Sequence, residues 1–342
     1  MSRWIYGWIL SAIGILVILV PACNQFSKVV EEGRERTLDT VDGLARSVGT
    51  NFLVAGNSQN RERLVILDRN QSEIIIGSWN IEKFGVTKMS NPSIMTTLVN
   101  VARQFDVLAI QEIQSKHDQT FVEKYVDLIN ADGSKYSYVL SPILGSNRYS
   151  EQYAFIYDTN RIVMVDEGSI VPDPQDLLKR EPMFSRFRTN TPNPGDAFSF
   201  ALANVHVAPN ETRNELSTLY EVYLWLQSYL GDVEDDIILL GDFNEPPRRY
   251  GQLWQIESLR MVLSENTMTN TLQTKAYDNI LFDQNFTQEF MHKSGVLDLQ
   301  QLFGFTREQA SDVSDHLPVW AAFSAGELRP RNQFARKPSG VR

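Results

Sequence analysis

Short apolar runs of strand length alternate with longer amphipathic runs between residues 70 and 325. The apolar runs that predict strands cover 74–76, 107–110, 154–157, 198–207, 237–240, 280–282 and 319–323. Apolar positions at helical spacing predict helices over 93–104, 119–130 and 213–230. Many strands and few helices in one stretch of about 255 residues indicate a single layered α/β domain rather than two domains.

The N-terminus carries a different pattern, an uncharged apolar run over residues 4–20 that follows Arg3 and ends before Cys23. Residues 19–23 partly match a bacterial lipobox, so 1–23 is interpreted as a signal peptide or lipoprotein signal with Cys23 as the lipid attachment site. An uncleaved membrane anchor stays open, because a run of 17 residues lies at the short limit for spanning a bilayer. A buried core helix, or ordinary cleaved secretion, is the third interpretation. The lipoprotein signal and the anchor both make the protein extracytoplasmic and membrane-anchored, and cleavage alone makes it secreted.

Polar segments flank the main domain. Residues 24–69 are mixed in charge with scattered apolar positions, which is typical of a polar linker or stalk. Residues 326–342 are rich in Lys and Arg and poor in apolar residues, which predicts a disordered basic tail. The main domain is therefore expected to occupy 70–325.

Composition narrows the class of protein. A chain of 342 residues with 42% hydrophobic and 22% charged positions is typical of an ordered globular protein. The net charge of −10 excludes a broadly basic nucleic-acid-binding surface, so any contact with nucleic acid has to be local. The single cysteine excludes an internal disulfide and a cysteine-rich zinc site.

Carboxylate, amide and imidazole side chains cluster at the ends of six predicted strands. They are Asn80, Glu82, Gln111, Glu112, His206, Asp242, Asn244, Asp278, Asn279, Asp315 and His316. Because loops converge at strand ends in proteins of this class, we expect these side chains to form one site. Hard oxygen donors favour Mg²⁺, with Mn²⁺ as the alternative, and two of the four histidines fall in this set, which favours acid–base chemistry beside a metal.

The motifs carry a family resemblance. Trp-Asn-Ile-Glu at 79–82, Gln-Glu at 111–112, His206, Gly-Asp-Phe-Asn at 241–244 and Ser-Asp-His at 314–316 resemble the motif series of the endonuclease/exonuclease/phosphatase superfamily, in its order and spacing. The segments at 144–153, 180–182, 219–223 and 276–278 are similar to the deoxyribonuclease I family. The resemblance covers nearly all of 73–324. It implies a four-layer sandwich in which helices flank two central mixed or antiparallel β-sheets.

The resemblance also implies a role for each matching residue. Glu112, with Asn80 and Asp315, would bind the metal. His206 and His316 would act as general acid and base, oriented by Glu151 and Asp278 respectively, while Asp242 would orient the attacking water. Tyr149 would bind the substrate, Arg180 would contact its phosphates and Asn244 would hold phosphate oxygens. Glu82 and Gln114 are departures, because the family has arginines at these positions that reach the DNA minor groove.

A structural Ca²⁺ is a further implication of the resemblance. Asp176 with Glu181, and Thr269 with Thr271, occupy places comparable to the family's calcium sites.

Three function hypotheses follow. The leading one is a Mg²⁺-dependent, deoxyribonuclease I-like endonuclease with DNA, or alternatively RNA, as its substrate. The first alternative is a phosphatase or phospholipase of the same fold acting on phosphoinositides or sphingomyelin. The second alternative is a non-catalytic binding module, against which the presence of both histidines with both partner carboxylates argues. The only other contact inferred is with a membrane through the N-terminal segment, and no protein partner is inferred.

Overall fold

The computed structural model describes residue 67 and residues 69–114, 120–145 and 150–328. The predicted signal or anchor at 1–23, nearly all of the predicted linker and Tyr149 lie outside the described residues. So does residue 329 onward of the predicted tail. None of the described helices is long and apolar enough to cross a membrane.

The described residues form thirteen strands and six α-helices. The strands are β1 (Glu73–Phe84), β2 (Val107–Ile113), β3 (Tyr136–Leu140), β4 (Gln152–Asp158), β5 (Ile162–Met164), β6 (Ser169–Ile170), β7 (Met183–Thr189), β8 (Ser199–His206), β9 (Ile237–Asp242), β10 (Leu259–Met261), β11 (Asp278–Asp283), β12 (Phe290–Val296) and β13 (Val319–Ser324). The helices are α1 (Val86–Met89), α2 (Pro92–Ala102), α3 (Phe121–Asn130), α4 (Thr212–Leu230), α5 (Leu299–Phe303) and α6 (Arg307–Val313). Short 3₁₀ turns occupy Pro194–Asp196, Pro247–Arg249 and Gly251–Gln255.

The strands assemble into two mixed sheets. The first sheet has the order β12-β13-β1-β2-β4-β3, and the second has the order β10-β11-β9-β8-β7-β5 with β6 paired to β7. Each sheet contains one parallel pair at its centre, β1 with β2 and β8 with β9, and its other pairs are antiparallel. Two mixed sheets flanked by helices confirm the α/β sandwich that the sequence predicts.

The core lies between the two sheets and is filled by alternate residues of each strand. In β8, Phe200 and Leu202 pack into the core between the sheets, whereas Ala201, Ala203 and Val205 pack on the other face with helix α4. Both faces of β8 are buried, so apolar residues stand on both faces and residues 200–203 read in the sequence as a continuous hydrophobic run. This is why the central strands were predictable.

A glycine allows the close approach at the end of β9. Gly241 has φ +151°, and a Cβ built on it would lie 1.9 Å from the carbonyl oxygen of Val205. Only glycine fits this position without displacing the backbone. The close approach sets the parallel pairing of His206 with Asp242, and thereby places the two side chains at the same edge of the second sheet.

At the opposite edge of the first sheet, a buried aspartate precedes β2. Asp106 is fully buried, and its carboxylate forms ion pairs of 2.5 Å with Arg69 and with Arg161. It also accepts a hydrogen bond of 2.7 Å from the backbone N–H of Ile75. The two guanidinium groups neutralise this buried charge, as burial requires.

Candidate active site

The site lies where the two central parallel pairs end. Asn80 of β1 pairs in register with Gln111 of β2, and His206 of β8 pairs with Asp242 of β9. A hydrogen bond of 3.2 Å from Asn80 Nδ2 to Asp242 Oδ2 joins the two sheets at this edge. The predicted convergence of strand-end side chains is therefore what the packing of the sheets produces.

Backbone distortions aim the side chains at this edge. The pairing of β1 with β2 is irregular between Asn80 and Phe84, and Glu82, Lys83 and Glu112 have φ of +39°, +49° and +63°. Asn244, after β9, has φ of +52°. Four of the seven described non-glycine residues with positive φ thus lie at this site. Such conformations cost on the order of 1–3 kcal/mol each and cluster at functional sites.

His206 is held by a carboxylate and by a buried arginine. Its Nδ1 lies 2.8 Å from Glu151 Oε1, and both side chains are buried. Arg180 donates to the backbone oxygen of His206 from Nε at 3.3 Å and from Nη2 at 3.1 Å, and its Nε lies 3.5 Å from Glu151 Oε1. Burial and then Arg180 lower the pKa of His206, but Glu151 and Asp242 together raise it above its ordinary value. The pair therefore favours the imidazolium form.

His316 has the equivalent arrangement with Asp278. Its Nδ1 lies 2.8 Å from Asp278 Oδ2, and that same oxygen accepts a hydrogen bond of 2.6 Å from the hydroxyl of Thr269. Burial lowers the pKa of His316, but Asp278 and then Asp242 raise it well above its ordinary value. The backbone oxygen of His316 accepts a hydrogen bond of 2.9 Å from the indole N–H of Trp79. This bond anchors the loop at 314–317 to β1.

Asp242 lies between the two histidines. Its Oδ2 is 3.5 Å from His206 Nε2 and 3.5 Å from His316 Nε2, and its Oδ1 accepts a hydrogen bond of 2.8 Å from the backbone N–H of Asn244. Burial raises the pKa of Asp242 above its ordinary value, although the two imidazoles oppose this. The three side chains form a row in which each Nε2 faces the same carboxylate oxygen.

Glu112 lies next to the end of β2 and its carboxylate accepts two hydrogen bonds. Its Oε1 accepts from Asn80 Nδ2 at 3.1 Å and its Oε2 accepts from the backbone N–H of Lys83 at 2.9 Å. Burial raises the pKa of this carboxyl group, but His206, Asn80 and the Lys83 N–H together hold it below its ordinary value. Asn80 thus joins the carboxylates of Glu112 and Asp242 through its NH₂ group, while its Oδ1 accepts from the backbone N–H of Glu82 at 3.0 Å.

A buried lysine beside this carboxylate group was not anticipated from the sequence. Lys88 of α1 donates to the backbone oxygens of Ile81 at 2.8 Å and Val313 at 2.7 Å, and its Nζ lies 3.8 Å from Glu82 Oε2. Burial lowers the pKa of Lys88, although Glu82 and Asp315 oppose this. Nothing in the local sequence marks it, because a lysine on a short helix normally faces solvent.

The remaining sequence-predicted residues occupy defined places. Asn244 donates from Nδ2 to the backbone oxygen of Val207 at 2.8 Å, so its amide supports the loop that carries it. Asp315 is exposed, but partial desolvation of its carboxylate and the nearby Glu82 and Glu112 raise its pKa despite the opposing His316. Arg180 is 5% exposed. Its contacts with His206 favour a positioning role over the phosphate contact expected for it.

The two threonines expected at a calcium site, Thr269 and Thr271, donate their hydroxyl hydrogen bonds to other groups of the protein. Thr269 donates to Asp278, and Thr271 donates to the backbone oxygen of Ser314 at 2.6 Å. The backbone of these threonines also bonds to residues 315 and 317. The segment 269–271 therefore braces the loop that carries His316.

The donor set fits a divalent metal of the hard class. Among the described residues, Asp242, Asp278 and His316 each offer an atom within 4.8 Å of the others, and Glu112 is joined to Asp242 through Asn80. Carboxylate oxygens dominate, and the raised pKa values of Asp242 and Asp315 reflect burial of negative charge that a cation would relieve. Such a set suits Mg²⁺ or Mn²⁺ and contains no thiolate.

Comparison with known proteins agrees with this geometry. Residues 77–316 match the model of the Endonuclease/Exonuclease/phosphatase family. The chain is 30% identical over 259 residues to deoxyribonuclease-1 of Homo sapiens, covering 71% of this chain and 90% of the relative. The corresponding values for the Bos taurus enzyme are 31% over 262 residues, 71% and 90%.

Solved structures show the same fold. The human Nocturnin catalytic domain with bound sulfate has a TM-score of 0.51 at 17% identity, covering 74% of this chain and 94% of that chain. ANGEL2, a 2',3'-cyclic phosphatase, in complex with adenosine-2',3'-vanadate, has a TM-score of 0.51 at 15% identity, covering 75% and 97%. At these identities the likeness concerns architecture alone.

Proposed function

The chain belongs to the Endonuclease/Exonuclease/phosphatase family, and from that premise we propose that it is a metal-dependent phosphodiesterase that hydrolyses DNA. The observation that carries the proposal is the row of His206, Asp242 and His316, with each histidine paired to its own carboxylate. Two such pairs supply both proton transfers of phosphodiester hydrolysis. A binding module would have no use for two oriented imidazoles around one buried carboxylate.

The proton transfers follow from the geometry. Water attacks phosphorus and forms the new P–O bond, while the bond from phosphorus to the leaving oxygen breaks on the opposite side. One imidazole accepts the proton of the attacking water at Nε2, and the other, as imidazolium, donates its Nε2 proton to the leaving oxygen. Both Nδ1 atoms face carboxylates at 2.8 Å, which fixes each ring and leaves Nε2 directed to the reaction.

Glu112 and Asp315, with Asp242 and Asn80 beside them, are the groups that would hold Mg²⁺ or Mn²⁺ in this proposal. A bound divalent ion supplies charge neutralisation at the phosphoryl oxygens. The protein contributes the ionised state of Glu112, which its hydrogen bonds to Asn80 and Lys83 maintain.

DNA is the substrate favoured by the relatives, whose name specifies it. Two features of this chain predict weaker duplex binding. Glu82 and Gln114 replace arginines expected from the family pattern, and the net charge is −10. Exposed negative charge repels DNA at long range, so binding depends on local contacts and on divalent ions.

A plasmid-nicking assay tests the proposal directly. The purified full-length protein is expected to relax and linearise supercoiled plasmid in Mg²⁺ or Mn²⁺, to lose this activity with a chelator, and to lose it progressively as salt rises. RNA, inositol phosphates and sphingomyelin are assayed in parallel at the same metal concentration. Intact plasmid with turnover of an inositol phosphate or sphingomyelin would contradict the nuclease and identify the phosphatase or phospholipase alternative. No turnover of any substrate would favour the binding module.

The localisation proposed is extracytoplasmic, with the chain held at a membrane by a lipoprotein signal or a signal anchor. Its support is the apolar run 4–20 followed by Cys23. We expect the protein in the membrane fraction, and the mass of its N-terminal peptide will distinguish a lipid-modified Cys23 from an uncleaved chain. Full recovery from the soluble cytosolic fraction would contradict both forms of attachment.

A further inference from the structure

A second acidic group lies at the end of the sandwich away from the active site. Asp236 directly precedes β9, six residues before Asp242, which is roughly 20 Å of extended strand. Glu289 directly precedes β12 of the other sheet, and Glu327 follows β13. One carboxylate oxygen from each of these three residues lies within 4.8 Å of the other two. The group therefore draws on both sheets.

Two of these carboxylates have an oxygen without a partner. Asp236 is 3% exposed and Glu289 is fully buried, yet Asp236 Oδ1 and Glu289 Oε2 have no hydrogen-bond partner. The buried hydroxyl of Thr287 lies against Asp236 and, as a hydrogen-bond donor to its carboxylate, lowers the pKa of that carboxyl group. Unpartnered buried carboxylate oxygens are costly, since each loses its hydration without compensation. These two oxygens and the neighbouring carboxylate of Glu327 form a cradle of hard oxygen donors.

The first sheet contains a buried aspartate, Asp106, at the position equivalent to Asp236. Asp106 directly precedes β2, the second strand of the parallel pair in the first sheet, just as Asp236 directly precedes β9 in the second. Asp106 is neutralised by Arg69 and Arg161. Asp236 faces Glu289, Glu234 and Glu327 instead, with no ion pair to lysine or arginine among the described residues. Among the described residues, no arginine or lysine is paired with Asp236 in the way that Arg69 and Arg161 are paired with Asp106.

The electrostatic consequence agrees with the geometry. Burial, followed by the charges of Glu289, Glu234 and Glu327, raises the pKa of the Asp236 carboxyl well above its ordinary value. A bound cation would reverse this effect, because it favours the ionised form of every carboxylate around it.

We propose that Asp236, Glu289 and Glu327 bind a calcium ion that ties β9 of one sheet to β12 and β13 of the other. Calcium takes six to eight oxygen ligands in flexible geometry, and the Thr287 hydroxyl beside Asp236 offers one more oxygen. Glu234 stabilises the turn, since its Oε1 accepts from the backbone N–H of Asp236 at 3.2 Å. The site is separate from the threonines and acidic residues for which the family pattern implied calcium.

The site is tested by calcium binding to the full-length protein carrying Glu112→Gln, which under the proposed function is expected to weaken metal binding at the active site. The Glu112→Gln protein is compared with the same protein that also carries Asp236→Asn and Glu289→Gln. Glu167→Gln, which removes an exposed carboxylate elsewhere, is the matched control. Equilibrium dialysis gives the number of bound ions, and circular dichroism gives Tm in chelator and in calcium.

The Asp236→Asn, Glu289→Gln protein is expected to bind one calcium ion fewer than the control. Calcium at 100 times its Kd should raise Tm of the control by about 5–10 °C and leave Tm of the double variant unchanged. Equal calcium stoichiometry in both proteins would overturn the proposal. It would also be overturned if the control were stabilised by lowering the pH but not by calcium, since the carboxylates would then share a proton. If the double variant does not fold, Glu289→Gln alone is subject to the same two criteria.

Discussion

Replacing His316 with alanine is expected to lower kcat for plasmid cleavage by about 10³-fold, because one of the two proton transfers loses its donor or acceptor. The substitution leaves the backbone oxygen that accepts from the Trp79 indole, so the loop at 314–317 keeps its anchor. The measurement is the initial rate of nicking at saturating metal, with Tm recorded for the same preparation. Activity within a factor of three of wild type would contradict the role given to His316.

His292→Ala is the matched control, since it removes an exposed imidazole outside the site. The pH profile of the Asp278→Asn variant tests whether Asp278 acts through His316 or only supports the structure. Asp278 raises the pKa of His316, so its loss should change that profile. Without that charge the pKa falls. If His316 donates its proton, activity is lost at lower pH on the alkaline side, and if it accepts one, activity begins at lower pH on the acidic side. Either way the limb governed by His316 moves to lower pH, whereas a purely structural defect scales the whole profile.

Replacing Glu112 with glutamine is the second substitution with a large expected effect, a loss of roughly 10³-fold in kcat/KM at low Mg²⁺. The variant keeps the shape of the side chain but removes the charge that its hydrogen bonds to Asn80 and Lys83 maintain. High Mg²⁺ is expected to restore part of the rate, since the defect lies in metal affinity. Calorimetric titration with Mg²⁺ measures that affinity without reference to turnover.

Glu123→Gln, an exposed carboxylate on helix α3, is the control for loss of one negative charge. An unchanged Mg²⁺ affinity in Glu112→Gln would remove Glu112 from the metal site and direct attention to the group of Asp242, Asp278 and His316.

The edges of both sheets were beyond the reach of hydrophobic patterning. Every central strand that carries a site residue was predicted, whereas the edge strands β3, β12, β5 and β10 were not, nor were the interior strand β7 and its short partner β6. The strand β12 reads Phe-Met-His-Lys-Ser-Gly-Val, and most of its residues are exposed or half-buried. An edge strand buries one face and is hydrogen-bonded to a neighbour along one edge. It therefore needs no continuous apolar run. The long helix α4 was predicted within one residue at its start.

Sequence patterning determined the layered class of this fold, its central strands and the chemical types at their ends, because burial on two faces forces continuous apolar runs and strand ends converge. Which carboxylate contacts which histidine could not be predicted from patterning, because the partners lie far apart in the sequence. Glu151 meets His206 across 55 positions and Asp278 meets His316 across 38. Only the packing of the two sheets places Asp242 against both imidazoles. The same packing decides that Asp106 finds two arginines while Asp236 finds Glu289, since charge balance depends on neighbours in space.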